Sequence, residues 1–381
     1  MSASGKGAAV YLDYNATAKL RPEARTAMLQ ALDLGGNPSS AHADGRAARA
    51  LVEAARADVG KLVGAGSQAV TFVSGGTEAN ALAIESAVVS GITRIIVGAT
   101  EHDAVRANAQ STGVRVDVWP VDRDGVADLD WLETRLADGP RSLVCLMLAN
   151  NETGVIQPIA RAADLVRAAG GRLHADAVQA AGKIPVDFNA LGVDSLALSA
   201  HKFGGPQGVG ALVAGLDTAL SRRLHGGGQE RGRRAGTENV AGIAGFAAAA
   251  RAASEDLRTS VDQSAWRDGL AAAVVAVGAE ILGAGAARLP QTLCFATRGF
   301  GSEIQVMALD LAGIMVSAGA ACSSGKVKSS HVIEAMGRGD LASSSIRISG
   351  GWASTAADWT LCGGAWLDAY QTKSARRREY A

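Results

Sequence analysis

Short apolar segments alternate with segments of helical periodicity through the first two-thirds of the chain. The apolar segments have the length of strands and lie at residues 69–73, 94–97, 114–120, 143–148, 172–175 and 196–200. Residues 143–148 are wholly apolar, as a strand covered on both faces should be. The alternation predicts an α/β fold with a mainly parallel sheet and helices on both faces. We expect residues 210–214 to add a further strand at one edge of this sheet.

The pattern changes near residue 255. Helices and shorter strands are predicted beyond or close to that point at residues 237–253, 264–277, 292–296 and 345–349. We therefore predict a large domain over residues 15–255. A smaller α+β domain is expected over residues 256–381, joined by the N-terminal arm, residues 1–14.

Composition narrows the classes of function. The chain has 381 residues with 37 Lys+Arg and 37 Asp+Glu, so no net field favours nucleic acid or a membrane surface. No apolar run is long enough to cross a bilayer, and residues 1–10 lack the pattern of a secretory signal. The four cysteines lie far apart without a Cys-x-x-Cys pair. This spacing argues against a disulfide framework or a structural zinc site and predicts a reducing, cytoplasmic location.

Polar groups follow five of the predicted strands. They are Ser74-Gly-Gly-Thr77, Glu101-His102, Asn150-Asn151-Glu152, residues 176–179 and Ser199-Ala-His201-Lys202. Ligands of open parallel sheets bind beyond the carboxyl ends of the strands. We therefore expect the five groups to converge on one edge, and their convergence is more specific than any single group.

Lys202 is the residue around which these groups are expected to gather. It ends a strand and precedes a glycine-rich run, so its amine should lie at the lip of the sheet, where a ligand can approach. A partly desolvated lysine loses its proton more readily and can form a Schiff base with an aldehyde. Taken alone, a lysine at a strand end is usually an ordinary surface residue.

Three further groups suit the same kind of ligand. The amides and hydroxyls of residues 74–77 at a helix start suit a phosphate, although the Gly-Lys-Ser/Thr of a nucleotide P-loop does not follow. Asp176 would pair with a protonated ring nitrogen, and His102 would stack on an aromatic ring. Each has an ordinary alternative, namely a βα turn, a helix N-cap and a capping histidine. Together with Lys202 they describe pyridoxal 5′-phosphate.

Motifs along nearly the whole chain carry a specific resemblance. They lie at residues 11–17, 36–42, 74–80, 100–102, 150–154, 174–179, 199–202, 225–237, 317–323 and 344–347. In these motifs the chain resembles the cysteine desulfurases of the nitrogen-fixation and iron–sulfur-cluster type. Those proteins are class V aminotransferases with the fold of fold-type I pyridoxal phosphate enzymes.

The resemblance implies roles around the ring of the cofactor. Lys202 would bind the aldehyde, and Asp176 would hold the ring nitrogen. Gln179 would contact the ring hydroxyl with Asn151 beside it, and His102 would stack on the ring face and take part in catalysis.

The resemblance also assigns the phosphate and the substrate. The phosphate would be held by Gly76, Thr77, Ser199 and His201, with Thr237 reaching in from the partner subunit of a homodimer. Asn37 and Arg347 would hold the carboxylate of the substrate, because a guanidinium can form two parallel hydrogen bonds with a carboxylate.

Cys322 is treated differently from Cys145, Cys294 and Cys362, which we interpret as small buried hydrophobes. It lies in a run of small residues, 317–325, followed by two lysines whose charge favours a thiolate. We expect a mobile loop that carries a nucleophile into the site.

The reaction implied by the resemblance is removal of sulfur from L-cysteine. Lys202 would remove the Cα proton, and Cys322 would attack the sulfur, giving L-alanine and a persulfide on Cys322. The sulfur would pass to an iron–sulfur scaffold or another acceptor protein. Because the persulfide cysteine of related enzymes can help bind a cluster shared with the scaffold, Cys322 is also a candidate metal ligand.

Other functions stay open at this point. A selenocysteine lyase or another class V pyridoxal phosphate enzyme would share the fold, although the cysteine-bearing loop argues against a plain aminotransferase. A non-catalytic scaffold of the same fold is disfavoured by the presence of both Lys202 and Asp176.

Overall fold

A computed structural model describes residues 9–259, 262–318 and 329–379 of the chain. The strands in these ranges are β1 Val10–Tyr11, β2 Val70–Val73, β3 Arg94–Gly98, β4 Arg115–Trp119, β5 Ser142–Cys145, β6 Arg172–Asp176, β7 Ser195–Ser199, β8 Gly210–Ala214, β9 Glu280–Ile281, β10 Thr292–Ala296, β11 Ile314–Met315, β12 Ser317–Ala318 and β13 Ser345–Ser349. The helices are α1 Pro22–Leu34, α2 Ala43–Leu62, α3 Gly76–Val89, α4 Asp103–Ser111, α5 Leu129–Ala137, α6 Ile159–Ala168, α7 Phe188–Leu191, α8 Val240–Thr259, α9 Ser264–Val275, α10 Ser302–Leu311, α11 His331–Ala335 and α12 Ala356–Glu379.

The largest sheet of the described residues has the strand order β2-β8-β7-β6-β5-β3-β4. The strands from β7 to β4 pair in parallel, whereas β8 runs antiparallel to both of its neighbours. This arrangement confirms the predicted α/β class. The prediction of an edge strand at residues 210–214 was wrong, because β8 lies between β2 and β7. All five of its residues are buried, as an interior strand requires.

Helices cover both faces of this sheet because its strands are apolar on both sides. On β3, Ile96 packs into the hydrophobic cluster that contains Val52 of α2 and Phe246 of α8. The residues on either side of it in the strand, Ile95 and Val97, pack into a cluster on the opposite face, which includes residues of α3 and α4. Successive side chains of a strand point to opposite faces, so both faces of β3 are buried.

A second, antiparallel sheet has the order β12-β13-β10-β9. It packs with α9, α10 and α12 around a separate cluster that includes Phe295 and Trp366. The N-terminal arm joins this part of the molecule, since β1 pairs in parallel with β11 and Asp13 forms a bridge with Ser349. The boundary predicted at residues 255 and 256 stays a prediction, and α8 continues past it to Thr259.

A buried ion pair holds the loop at residues 225–237 against the large sheet. Arg56 of α2 contacts Glu230 through two bonds, Nη1 to Oε2 at 2.6 Å and Nη2 to Oε1 at 2.8 Å. Glu230 Oε2 also accepts the backbone amide of Phe72 on β2 at 2.8 Å. Glu230 and Arg231 have positive φ angles of 48° and 57°, so a strained part of the loop is tied directly to the core.

A membrane-spanning helix is absent from the described ranges.

Candidate active site

Two neighbouring strands bring the predicted lysine and aspartate to one edge. Asp176 is the last residue of β6 and pairs in register with Ala197 of β7. β7 ends two residues later, at Ser199, and a single helical turn then carries Lys202. The charge of Asp176 acts on Lys202 and favours its protonated form. The structure therefore brings together the two residues on which the sequence argument depended.

The amine of Lys202 is held by the two residues that follow the N-terminal arm. Its Nζ donates to the carbonyl oxygens of Asn15 and Ala16 at 2.8 and 2.9 Å. Burial and then Arg347 lower the pKa of this amine to about 8, against the opposing effect of Asp176. With that pKa, roughly a tenth of the amine is uncharged at neutral pH, whereas an ordinary lysine has almost none. Lys202 is thus suited to act as a nucleophile and a base.

Asp176 is buried and oriented by a chain of hydrogen bonds. Its carboxylate accepts Nδ2 of Asn80 at 2.8 Å and the amide of Val178 at 2.9 Å. Asn80 Oδ1 lies 2.8 Å from Nε2 of His174, and Nδ1 of His174 lies 2.8 Å from the hydroxyl of Ser195.

The proton positions in this chain follow from the partners. Because the amide nitrogen of Asn80 faces the carboxylate, its oxygen needs a donor, so Nε2 of His174 carries the proton. Burial lowers the pKa of His174 to about 4, which keeps the ring neutral. Sequence reasoning gave these residues no role. Asn80 and His174 could have been found as polar side chains within an otherwise apolar helix and strand, in the motifs at residues 74–80 and 174–179.

A polar cavity next to Lys202 contains most of the residues predicted to bind a phosphate. Its lining includes Ser74, Gly75, Gly76, Thr77, Ser199 and His201. The helix α3 begins there without a side-chain cap, so its first amide groups are available to an anion. At Gly210 a Cβ atom would lie only 2.7 Å from Cα of Gly75, so a glycine is needed for this close approach.

His201 enters the cavity as a neutral donor. Burial, together with Lys202 and Lys183, lowers the pKa of His201 to about 4. Its Nδ1 lies 3.1 Å from the hydroxyl of Thr17. A neutral imidazole still offers one N–H group, which suits an anion that is held mainly by amides and hydroxyls.

Arg347 lies on β13, opposite Ser317 of β12. Its Nη1 donates to the carbonyl of Asn151 at 3.0 Å, and its Nη2 contacts Asp13 at 2.7 Å. Its Nε is buried and has no hydrogen-bond partner within the described residues. Each Nη nitrogen carries two N–H groups and uses one in these contacts, so N–H groups of the guanidinium are left for a further ligand.

Three of the predicted residues that the structure describes do not join this cluster within one chain. Asn37 lies in an exposed loop, where its side chain accepts the amide of Ser39. His102 is exposed and caps α4 through its Nδ1, which was the ordinary alternative considered for it. Thr237 lines a separate cavity with Phe72, not the polar cavity beside Lys202. Cys322 lies outside the described residues.

The described segments before and after Cys322 each contact residues at this edge of the sheet or Arg347. Before it, Ser317 pairs with Arg347. After it, the hydroxyl of Ser330 donates to Glu152 at 2.5 Å, and His331 Nε2 lies 3.0 Å from the carbonyl of Glu101. Burial raises the pKa of both Glu152 and Glu101, which follow strands at the same edge.

The remaining cysteines are not arranged as a reactive or metal site. Cys145, Cys294 and Cys362 are free and buried, as predicted. No group of three or more His, Cys, Asp or Glu residues that could hold a metal ion occurs in the part of the chain that the structure describes.

The site fits pyridoxal 5′-phosphate. Asp176 is a buried carboxylate with hydrogen-bonding capacity left after its two donors, so it can accept a ring N–H. The uncapped start of α3 suits the phosphate. The lowered pKa of Lys202 suits reaction with an aldehyde.

Comparison with known proteins agrees with this geometry. The family model for class-V aminotransferases matches residues 10–360. A cysteine desulfurase of Cereibacter sphaeroides is 46% identical over 342 residues, which cover 86% of this chain and 86% of the relative. The cysteine desulfurase IscS of Dictyoglomus turgidum is 39% identical over 360 residues, covering 92% of this chain and 91% of the relative.

A solved structure extends the comparison to the fold. The X-ray structure of a NifS-like protein from Rickettsia africae is 32% identical and has a TM-score of 0.86, covering 95% of this chain and 99% of that one. The predicted resemblance and cofactor are thereby confirmed. The chain belongs to the class-V aminotransferase family and, within it, to the cysteine desulfurases.

Proposed function

We propose that the site around Lys202 removes sulfur from L-cysteine and transfers it to Cys322, and from there to an acceptor protein in iron–sulfur cluster assembly. The observation that carries this proposal is the amine of Lys202, whose pKa is lowered to about 8, next to the buried carboxylate of Asp176. Bound pyridoxal phosphate supplies an electron sink for the substrate Cα.

Several residues bind and orient the two ligands. Asp176, held by Asn80, accepts the ring N–H of the cofactor, and the start of α3 holds its phosphate. Arg347 binds the carboxylate of cysteine through the N–H groups that its contacts with Asn151 and Asp13 leave unused. From the resemblance to cysteine desulfurases we also assign Asn37 to the carboxylate and His102 to the ring face, which requires each side chain to leave its present exposed contact.

Lys202 and Cys322 carry the proton and the sulfur. The uncharged amine of Lys202 removes the Cα proton of the substrate. The thiolate of Cys322 then attacks the substrate sulfur, so that a sulfur–sulfur bond forms while the Cβ–sulfur bond breaks. Protonation of the remaining carbon skeleton gives alanine.

Chain connectivity supports the role of Cys322. Ala318, the last residue of β12, is paired beside the strand that carries Arg347. Cys322 follows four residues later, and four extended residues span at most about 14 Å. A thiol on this tether can reach a substrate held by Arg347.

The test compares alanine release from cysteine and from selenocysteine by the wild type, Lys202→Ala and Cys322→Ala. We expect the wild type to be yellow and to release alanine from cysteine. Lys202→Ala should lack the wild-type visible band and the activity, and Cys322→Ala should keep the band but form no persulfide. Normal desulfuration by Cys322→Ala would contradict the assignment of the nucleophile, and release from selenocysteine alone would favour a lyase.

The substrate arginine has its own prediction. Arg347→Lys keeps the charge but loses the forked donors, so we expect KM for cysteine to rise at least about tenfold, because hydrogen bonds to charged groups contribute about 1.5–3 kcal/mol. Steady-state kinetics with the cofactor-saturated enzyme measures this. An unchanged KM would remove Arg347 from the substrate site.

We also propose a homodimer in the cytoplasm, with Thr237 completing the phosphate site of the partner. Support comes from the resemblance to cysteine desulfurases and from Thr237, which within one chain lines a neighbouring cavity that shares Ser74 and Gly208 with the polar one. Mixing Lys202→Ala with Thr237→Ala chains tests it. One site of the mixed dimer would then carry neither substitution, so activity above that of either variant alone is expected, and its absence at confirmed mixing would contradict the arrangement. The location can be tested by cell fractionation.

A further inference from the structure

A second lysine lies beside the active site and has no role so far. Lys183 follows β6 in the turn that leads to α7. Its Nζ donates to Oδ1 of Asn15 at 2.8 Å and to Oε1 of Gln179 at 2.7 Å. It lines the same cavity of about 350 Å³ as Lys202.

Asn15 connects the two lysines. It is 1% exposed, and its carbonyl accepts both Nζ of Lys202 and Nε2 of Gln179 at 2.8 Å. Its Nδ2 donates to the carbonyl of Asn151 at 3.2 Å and to the hydroxyl of Thr292 at 3.1 Å. The amide nitrogen of Asn15 is thus fully used, and its Oδ1 requires a donor, which only Lys183 supplies among the hydrogen bonds of the described residues.

The same logic fixes the amide of Gln179. The carbonyl of Asn15 can only accept, so Nε2 of Gln179 must face it. Its Oε1 faces the amine of Lys183. With that orientation set, the second N–H of Gln179 is left to donate to an oxygen of a ligand. Without Lys183, a buried amide oxygen would lose its donor, and the amide could turn or move.

We propose that Lys183 is a positioning residue, which fixes the amide of Gln179 as a donor to the ring oxygen of the cofactor and fixes Asn15 as the acceptor for Lys202. This inference rests on the proposed function, because that function places the ring oxygen beside Gln179. Lys183 acts through these two residues and touches no reacting atom.

The charges around Lys183 agree with this role. Burial and then Lys202 and Arg347 hold the pKa of Lys183 well below its ordinary value. Asp176 and Asp13 act on the neighbouring Lys202, where they favour the proton. His201, the other titratable group that senses Lys183, is kept neutral. Lys183 is therefore disfavoured as a charged group and serves as a hydrogen-bond donor to two amide oxygens.

The test is a pH titration of the visible absorption band of the holoenzyme for Lys183→Met, with Lys61→Met as the matched control on the exposed side of α2. The ring oxygen of the bound cofactor carries negative charge, which the N–H of Gln179 stabilises. If that donor is lost, the proton on the neighbouring nitrogen, which joins Lys202 to the cofactor, becomes harder to remove. We expect the apparent pKa of the band to rise by about 0.5–1 unit in Lys183→Met, the equivalent of one hydrogen bond, and to stay unchanged in Lys61→Met.

Lys183→Gln retains a hydrogen-bond donor at this position without the amine. It keeps an NH₂ donor, so its band should titrate within about 0.3 unit of the wild type. This variant carries the test by itself if Lys183→Met does not fold, as judged by circular dichroism. A wild-type titration in folded Lys183→Met, or an equal shift in Lys183→Gln and Lys183→Met, would overturn the proposal. The titration uses no cysteine, so failure of the desulfurase assignment would be seen separately in alanine release by the wild type.

Discussion

The buried pair of Arg56 and Glu230 leads to a prediction about stability. Their side chains are 3% and 2% exposed, and two hydrogen bonds of 2.6 and 2.8 Å join them. Arg56→Met removes the cation and keeps most of the apolar volume. Glu230 is then left as a buried carboxylate whose remaining donor is the amide of Phe72. Breaking a buried pair in this way costs about 3–5 kcal/mol.

The assay is thermal unfolding of the cofactor-free protein, followed by circular dichroism. At about 2–4 °C per kcal/mol for units of 150–250 residues, Arg56→Met should lower Tm by about 6–20 °C. The matched control is Arg167→Met, because Arg167 pairs with Asp164 where the side chains are 60% and 77% exposed. An exposed pair contributes about 0–1 kcal/mol, so this control should lower Tm by no more than about 4 °C.

A double substitution shows whether the unpaired charge is the cause. Arg56→Met combined with Glu230→Met leaves no buried charge at this position, although the amide of Phe72 and the carbonyl of Val70 lose their partners. We expect the double variant to be less destabilised than the sum of the single variants by about 2–3 kcal/mol. Strictly additive effects, or an Arg56→Met variant as stable as the Arg167→Met control, would refute the reasoning.

Two further predictions concern titration. The pKa of Lys202 is about 8 in the folded protein, and its ordinary value is 10.5. Between these pH values the unfolded chain binds more protons than the folded one. The contribution of Lys202 to the stability of the cofactor-free protein therefore rises with pH across that range. Denaturant unfolding at both ends of the range should show this rise in the wild type relative to Lys202→Met, and a constant difference would contradict it. Burial raises the pKa values of the thiols of Cys145, Cys294 and Cys362, and that of Cys362 to about 12. In Cys322→Ala we therefore expect these three thiols to react with a thiol reagent only after denaturant is added. Rapid labelling of the folded variant would show that the site is more open than described.

The sequence predicted the sheet and the meeting of Lys202 with Asp176 because both depend on local pattern. Apolar runs mark buried strands, and ligands of parallel sheets bind at the strand ends. The edge position expected for residues 210–214 was wrong, because an antiparallel partner, β2, comes from much earlier in the chain. The local pattern of apolar and polar residues does not predict a pairing between strands so far apart in the chain.

The contacts of Asn15 were also beyond sequence reasoning. Its partners Lys183 and Thr292 lie 168 and 277 residues away. Such contacts depend on how the residues after the arm pack against both sheets, and local periodicity carries no information about this packing. The motif at residues 11–17 was recognised, but the pattern did not indicate which side chain would be the shared hydrogen-bond partner.

The position of Asn15 has a consequence for biosynthesis. Asn15 hydrogen-bonds through its backbone amide to the hydroxyl of Ser349 on β13, which is synthesised 334 residues later. A nascent chain still on the ribosome can form the central strands, but it lacks the final support for the residue that anchors the amine of Lys202. We therefore expect Lys202 to acquire its full reactivity toward aldehydes only after Ser349 has emerged from the ribosome.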